Sequence, residues 1–97
     1  GSRLEIETAK LEEGHLSLTI RNSGRAPFRE PYSIRIATDS HSVSIPGKGP
    51  LESGEAETCT VLLPPGEHPA AGIESRGHIL ELGNDSSRTD NLIRLRF

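Results

Sequence analysis

Tryptophan and methionine are absent from these 97 residues, and cysteine occurs once, as Cys59. A single cysteine excludes an internal disulfide and a cysteine-ligated metal cluster. A domain of this length can do without disulfides if its sheets pack well, so cysteine use leaves the compartment open. Aromatic rings are scarce too: Phe28, Tyr32 and Phe97 are the full set. Carbohydrate and single-stranded nucleic-acid sites need exposed rings to stack on, and only Phe28 and Tyr32 could form such a platform. Positive charge is not in excess, with 11 Lys and Arg against 14 Asp and Glu and a formal net charge of −3. That balance argues against the clustered basic face of a nucleic-acid module. No apolar run approaches the roughly 18 residues of a membrane-spanning helix. Gly1-Ser2 reads as the scar of an expression tag, so residues 1–2 are set aside and 3–97 are read as one domain.

What the chain does have is alternation. Leu4, Ile6 and Thr8 alternate with Glu5 and Glu7; Leu16, Leu18 and Ile20 with Ser17, Thr19 and Arg21; Tyr32, Ile34 and Ile36 with Ser33 and Arg35. Val43 and Ile45 form a shorter run, Cys59, Val61 and Leu63 a longer one, and Ile93, Leu95 and Phe97 close the chain. Each run has the apolar and polar faces of a half-buried strand. Ala71 and Ile73 are weaker, and the adjacent Ile79 and Leu80 predict a bend or bulge. The stretch Thr8 to Glu13 is helix-compatible by propensity but ends at Gly14.

Turn chemistry separates the runs: Glu13-Gly14, Asn22-Ser23-Gly24, Pro46-Gly47-Lys48-Gly49-Pro50, Ser53-Gly54-Glu55, Pro64-Pro65-Gly66 and Gly83-Asn84-Asp85-Ser86-Ser87. Short strands at regular spacing predict an all-β fold, an immunoglobulin-like antiparallel β-sandwich of about seven strands, with a small barrel as the alternative. The expected core is Leu4, Ile6, Leu16, Leu18, Ile20, Ile34, Ile36, Val61, Ile73, Leu80, Ile93 and Leu95.

The chemical inventory is thin. His15, His41, His68 and His78 are scattered among turns and strand starts, and no pair has helical spacing. Ser40 and Ser42 flank His41, yet nucleophilic catalysis needs base, orienting acid and oxyanion pocket together, so no enzyme activity is expected. Cys59 reads as a buried small hydrophobe. Gly47-Lys48-Gly49 lacks the rest of a phosphate loop. The densest oxygen-bearing cluster is Glu81, Asn84, Asp85, Asp90 and Asn91. Calcium takes six to eight hard oxygens, and Glu81, Asn84, Asp85 and Asp90 are the candidate ligands; no other cofactor is indicated. The competing expectation is structural: Asp90 and Asn91 cap the turn into the last strand by accepting backbone N–H bonds. Asn84-Asp85-Ser86 is also a glycosylation acceptor triplet. Glu5, Glu7, Glu12 and Glu13 gather near the start of the chain and Arg88, Arg94 and Arg96 near its end. Such outward charges mainly keep strand faces wet and edges unpaired, and a complementary partner surface is the alternative.

Taken in order, these turns resemble the CARDB family, the cell-adhesion-related domain found in bacteria. The matching segments are Leu18-Thr19-Ile20-Arg21-Asn22-Ser23-Gly24-Arg25-Ala26, Leu51-Glu52-Ser53-Gly54-Glu55-Ala56, Leu63-Pro64-Pro65-Gly66-Glu67-His68, and Glu81 with Thr89-Asp90-Asn91-Leu92. Two places depart from the family pattern. Pro69-Ala70-Ala71-Gly72-Ile73 lacks bulky residues, and the closing loop is longer than usual. The resemblance implies a non-catalytic module of a larger surface or secreted protein, extracellular, used for adhesion or for spacing its neighbours. Expected partners are neighbouring domains of the parent chain and a protein or glycan surface, with no nucleic acid, no membrane insertion and a monomer in isolation. The rival readings are a carbohydrate-binding accessory domain of a hydrolase and an intracellular protein-interaction domain.

Overall fold

Each alternating run becomes a strand with one face turned inward, as a period of two requires. In the computed structural model, which describes residues 1–84 and 88–97, eight strands follow one another. They are β1 (Leu4–Glu12), β2 (His15–Asn22), β3 (Ser33–Ala37), β4 (Ser42–Pro46), β5 (Ala56–Leu62), β6 (Ala70–Ser75), β7 (His78–Ile79) and β8 (Ile93–Arg94). One sheet has the order β1-β2-β5; the other runs β4-β3-β6, with β7 and β8 both paired to β6. All pairings are antiparallel, and no helix occurs among the described residues. The fold is the immunoglobulin-like sandwich that the turn spacing predicts.

The count is eight because the last edge is broken. β7 pairs with Glu74 and Ser75, β8 with Ala70 and Ala71. Between them the chain leaves the sheet after Leu80, whose N–H still reaches the Ile73 carbonyl at 2.8 Å. It then crosses to the other sheet, where the Gly83 N–H donates to the Leu4 carbonyl at 2.8 Å. The adjacent Ile79 and Leu80 therefore mark a strand exit rather than a bulge.

The bulge lies in β1, where the ladder pairs Ile6 with Ile20 and then Thr8 with Thr19, skipping Glu7. One extra residue exchanges the faces. Thr8, expected inward with Leu4 and Ile6, is exposed, and Ala9 packs against the core instead. Beyond the bulge β1 stays a strand through the helix-compatible stretch, because each residue from Thr8 to Glu12 has a partner on β2. Its hairpin closes on Glu13 (φ 51°) and Gly14 (φ 78°). Two positive φ values match a type I′ turn, whose twist suits the flanking strands.

Leu16, Leu18, Ile20, Ile34, Ile36 and Ile73 are fully buried, and Leu4, Ile6 and Leu95 nearly so. Val61, Leu80 and Ile93, expected in the core, are only half-buried, since each sits where a sheet edge or strand end lets solvent in. Tyr32, Leu51, Cys59, Ala71 and Leu82 complete the core. The small residues of β6 have a packing reason. A Cβ added to Gly72 would stand 2.7 Å from Leu92 Cδ2 and 3.2 Å from Ile79 Cγ2, so a larger residue there would push on the side chains of the returning chain. The first strand enters beside Asn22 and the last leaves beside Pro69, whose carbonyl accepts from Leu95 N–H at 2.9 Å. By the register these points lie at opposite ends of the strands.

Candidate functional site

The crossing segment at 80–84 places the first two candidate ligands. Asn84 lies against the β1 bulge. Its Oδ1 accepts from Ile6 N–H at 2.8 Å and its Nδ2 donates to Ile6 O at 2.9 Å. The amide thus stands in for a strand residue at the point where Glu7 disturbs the ladder. Glu81 is exposed and borders the same small cleft of about 120 Å³ as Asn84, Arg88 and Asn91.

Asp90 is held by different partners. Arg88 donates to it twice, Nε to Oδ1 at 3.0 Å and Nη2 to Oδ2 at 2.7 Å. Its Oδ1 also accepts from Leu92 N–H at 3.1 Å, the cap expected for the turn into the last strand. The Arg88 guanidinium, helped by that N–H, holds the carboxyl down at about 2. Asn91 plays another part than expected: it donates through Nδ2 to Ile79 O at 3.0 Å and sits at φ 65°. It ties β7 to the start of β8. Asp85, and with it part of the glycosylation triplet, lies outside the described residues. Among the described residues no three of His, Cys, Asp and Glu gather as a metal site would require. The oxygens of Asn84 and Asp90 serve strand and turn backbone.

Two buried polar constellations escaped the sequence reading. Asn22, fully enclosed, closes a knot at the end of β2. Its Oδ1 accepts from Arg3 N–H at 3.1 Å and Gly24 N–H at 3.0 Å, and its Nδ2 donates to Ala26 O at 2.8 Å and Leu51 O at 3.0 Å. Four bonds use the full capacity of the amide. The parity Leu16, Leu18, Ile20, Asn22 was the available signal. The second is Glu57, inward on β5 beside Cys59. It accepts from the Tyr32 hydroxyl, and from Lys48 N–H at 3.1 Å. Burial, then the Glu57 carboxylate, pushes the Tyr32 phenol above its ordinary range. Tyr32 also meets Phe28 edge to face at 5.8 Å. With Tyr32 buried, half-buried Phe28 alone remains of the candidate aromatic platform.

The histidines do not converge. His41 Nδ1 lies 2.9 Å from Ser40 Oγ, but also 3.1 Å from Pro65 O. A ring nitrogen facing a carbonyl carries the proton, so it is not placed to take one from Ser40. His68 meets Arg94 at 2.9 Å, and His15 and His78 are exposed. Burial, then the nearby Glu57 carboxylate, pushes the Cys59 thiol up, away from the thiolate that nucleophilic or metal chemistry needs. An open cleft of about 570 Å³ lies where β1 begins, between Arg3, Phe28, Glu81 and Gly83. Its polar walls are largely tied down, with Arg3 Nη2 donating to Gly83 O at 3.1 Å. Neither a protein-family model nor a curated protein matches this sequence.

Proposed function

We propose that this domain is a non-catalytic module of a larger surface or secreted protein, serving adhesion by binding or by spacing its neighbours, as the CARDB-like order of its turns implies. The observation that supports the reading is the entry of the first strand and the exit of the last at opposite ends of the strands, as the register sets them. A bead with that geometry adds its own length between flanking domains. The turns behind the resemblance also have structural work in the fold. Asn22 of the Asn-Ser-Gly turn ties together the chain at Arg3, Gly24, Ala26 and Leu51, and such satisfied buried networks stiffen a fold.

Replacing the domain in its parent chain by an unrelated sandwich of equal length is the test. Adhesion that survives the swap marks a spacer, and adhesion that is lost marks a binding module. Turnover by the purified domain in a hydrolase screen, abolished by changing one histidine or serine, refutes the proposal.

A further inference from the structure

The edges of the two sheets are not equally guarded. β1 is broken by the bulge at Glu7, carries Lys10 and Glu12, and is met by Gly83 and Asn84. β6 is covered by β7 and β8. β5 turns the Glu57 carboxylate inward, and Lys48 of the loop after β4 reaches it. Bulges, charges and inward acids are how proteins keep strand edges from pairing. β4, Ser42-Val43-Ser44-Ile45-Pro46, has no charge and no bulge, and its one guard is the terminal proline.

The hydrogen-bond parity of β4 follows from its ends. Gly47 N–H donates to Tyr32 O and Thr38 N–H to His41 O, both at 2.8 Å. Counting inward along the register, Ile45 with Ile34 and Val43 with Ile36 are the bonded pairs. Ser42 and Ser44 therefore turn both backbone groups away from β3, and Pro46 turns its carbonyl the same way.

We propose that this edge pairs with the same edge of a second copy, antiparallel about a two-fold axis through Ser44. In that register Ser44 faces Ser44 of the other copy and exchanges two bonds with it. Ser42 N–H meets the Pro46 carbonyl on each side, giving four bonds in all. Pro46 has no N–H to return, so the Ser42 carbonyl at each end of the seam is left to water and the pairing stops there. Val43 lands opposite Ile45, so the half-buried apolar side chains meet on the inner face and the serines on the outer one. A shift of one residue would put serine against these side chains. Because β4 is uncharged, no like charges face each other across the seam. The second copy is the partner this edge fits by its own symmetry. The contact is small, so the dimer is transient, with half-association on the order of hundreds of micromolar.

Sedimentation velocity of the reduced protein from about 10 µM to 1 mM tests the pairing across that range. Reducing conditions remove any disulfide through Cys59. The expected result is a rise toward the dimer sedimentation coefficient, with the Ser42 and Ser44 amides gaining exchange protection as concentration increases. Ser44→Lys sets two ammonium groups face to face on the axis, and Ser44→Pro removes the central donor. Neither touches a bonded position of the β3–β4 ladder, and unchanged melting curves confirm folding. Both variants should stay monomeric throughout, while Thr60→Lys on β5 should dimerise like the parent. A monomer at all concentrations overturns the inference. So does a dimer that survives Ser44→Lys, or one that Thr60→Lys abolishes, which would place the seam on β5.

Discussion

Asn22→Ala is the substitution most damaging for its size. It leaves three backbone groups without partners: the N–H of Arg3 and Gly24 and the carbonyl of Ala26. The Leu51 carbonyl loses the amide but keeps the Phe28 N–H at 2.8 Å. A buried orphan costs about 1–3 kcal/mol, and groups that recover water, as these three partly do, cost less. The sum is about 2–4 kcal/mol. That is a large share of the roughly 5–15 kcal/mol that holds a domain folded. At about 4–8 °C per kcal/mol for a chain of this size, the melting temperature should fall by at least ~8 °C. Urea titration followed by far-UV circular dichroism gives the free energy, and a thermal melt gives the temperature. Asn22→Asp is the informative partner. It keeps the shape and both accepting contacts but loses both donors and turns a charge toward two carbonyls, so it should destabilise as strongly. A loss below about 1 kcal/mol for Asn22→Ala would show that water replaces the amide and that the knot is not structural.

Tyr32 is the sole tyrosine, so ultraviolet absorbance titration reports it alone. Its phenol should ionise above the ordinary range, and because the folded value is raised, stability should be intact below about pH 10 and decline above it. Tyr32→Phe, which leaves Glu57 with the Lys48 N–H as its remaining partner, should cost about 1–3 kcal/mol and abolish that alkaline decline. Asp90 gives the opposite sign: held at about 2, it stabilises above about pH 4 and loses this as pH falls toward 2. The pair is exposed, so the effect is at most about 1 kcal/mol, and Asp90→Asn should flatten the acid limb of a pH–stability curve. Asn84→Ala should cost about 1–2 kcal/mol through the lost pairing with Ile6; millimolar calcium should leave the melting temperature unchanged, whereas a tightly held ion would raise it by roughly ten degrees. Glu13→Asn, at a left-handed turn position that asparagine tolerates better, should stabilise by roughly 1 kcal/mol in the same urea titration.

What the sequence made legible follows the reach of its local rules. Alternation placed β2, β3 and β5 with the correct inward faces, because each runs without interruption. It failed in β1 after Ile6, since a bulge is one unpaired residue and leaves no mark in composition. The parity argument was also applied too narrowly. Continued one step past Ile20 it puts Asn22 inward, and one step before Cys59 it puts Glu57 inward, yet Asn22 was read only as a turn residue and Glu57 was not singled out. A polar residue on the inward parity is therefore a place to look for a buried network, because such a group stays buried only when its bonds are made. The closing segment shows the converse. Glu81, Asn84 and Asp90 looked like one oxygen cluster because they are close in sequence. In the fold the chain between Leu80 and Ile93 leaves one sheet, touches the other and returns. Asn84 is thereby committed to Ile6, and Asp90 to Arg88 and Leu92. Glu81 and Asn84 still border one cleft with Arg88, so what sets the oxygens of Asn84 and Asp90 apart is the partner each already has.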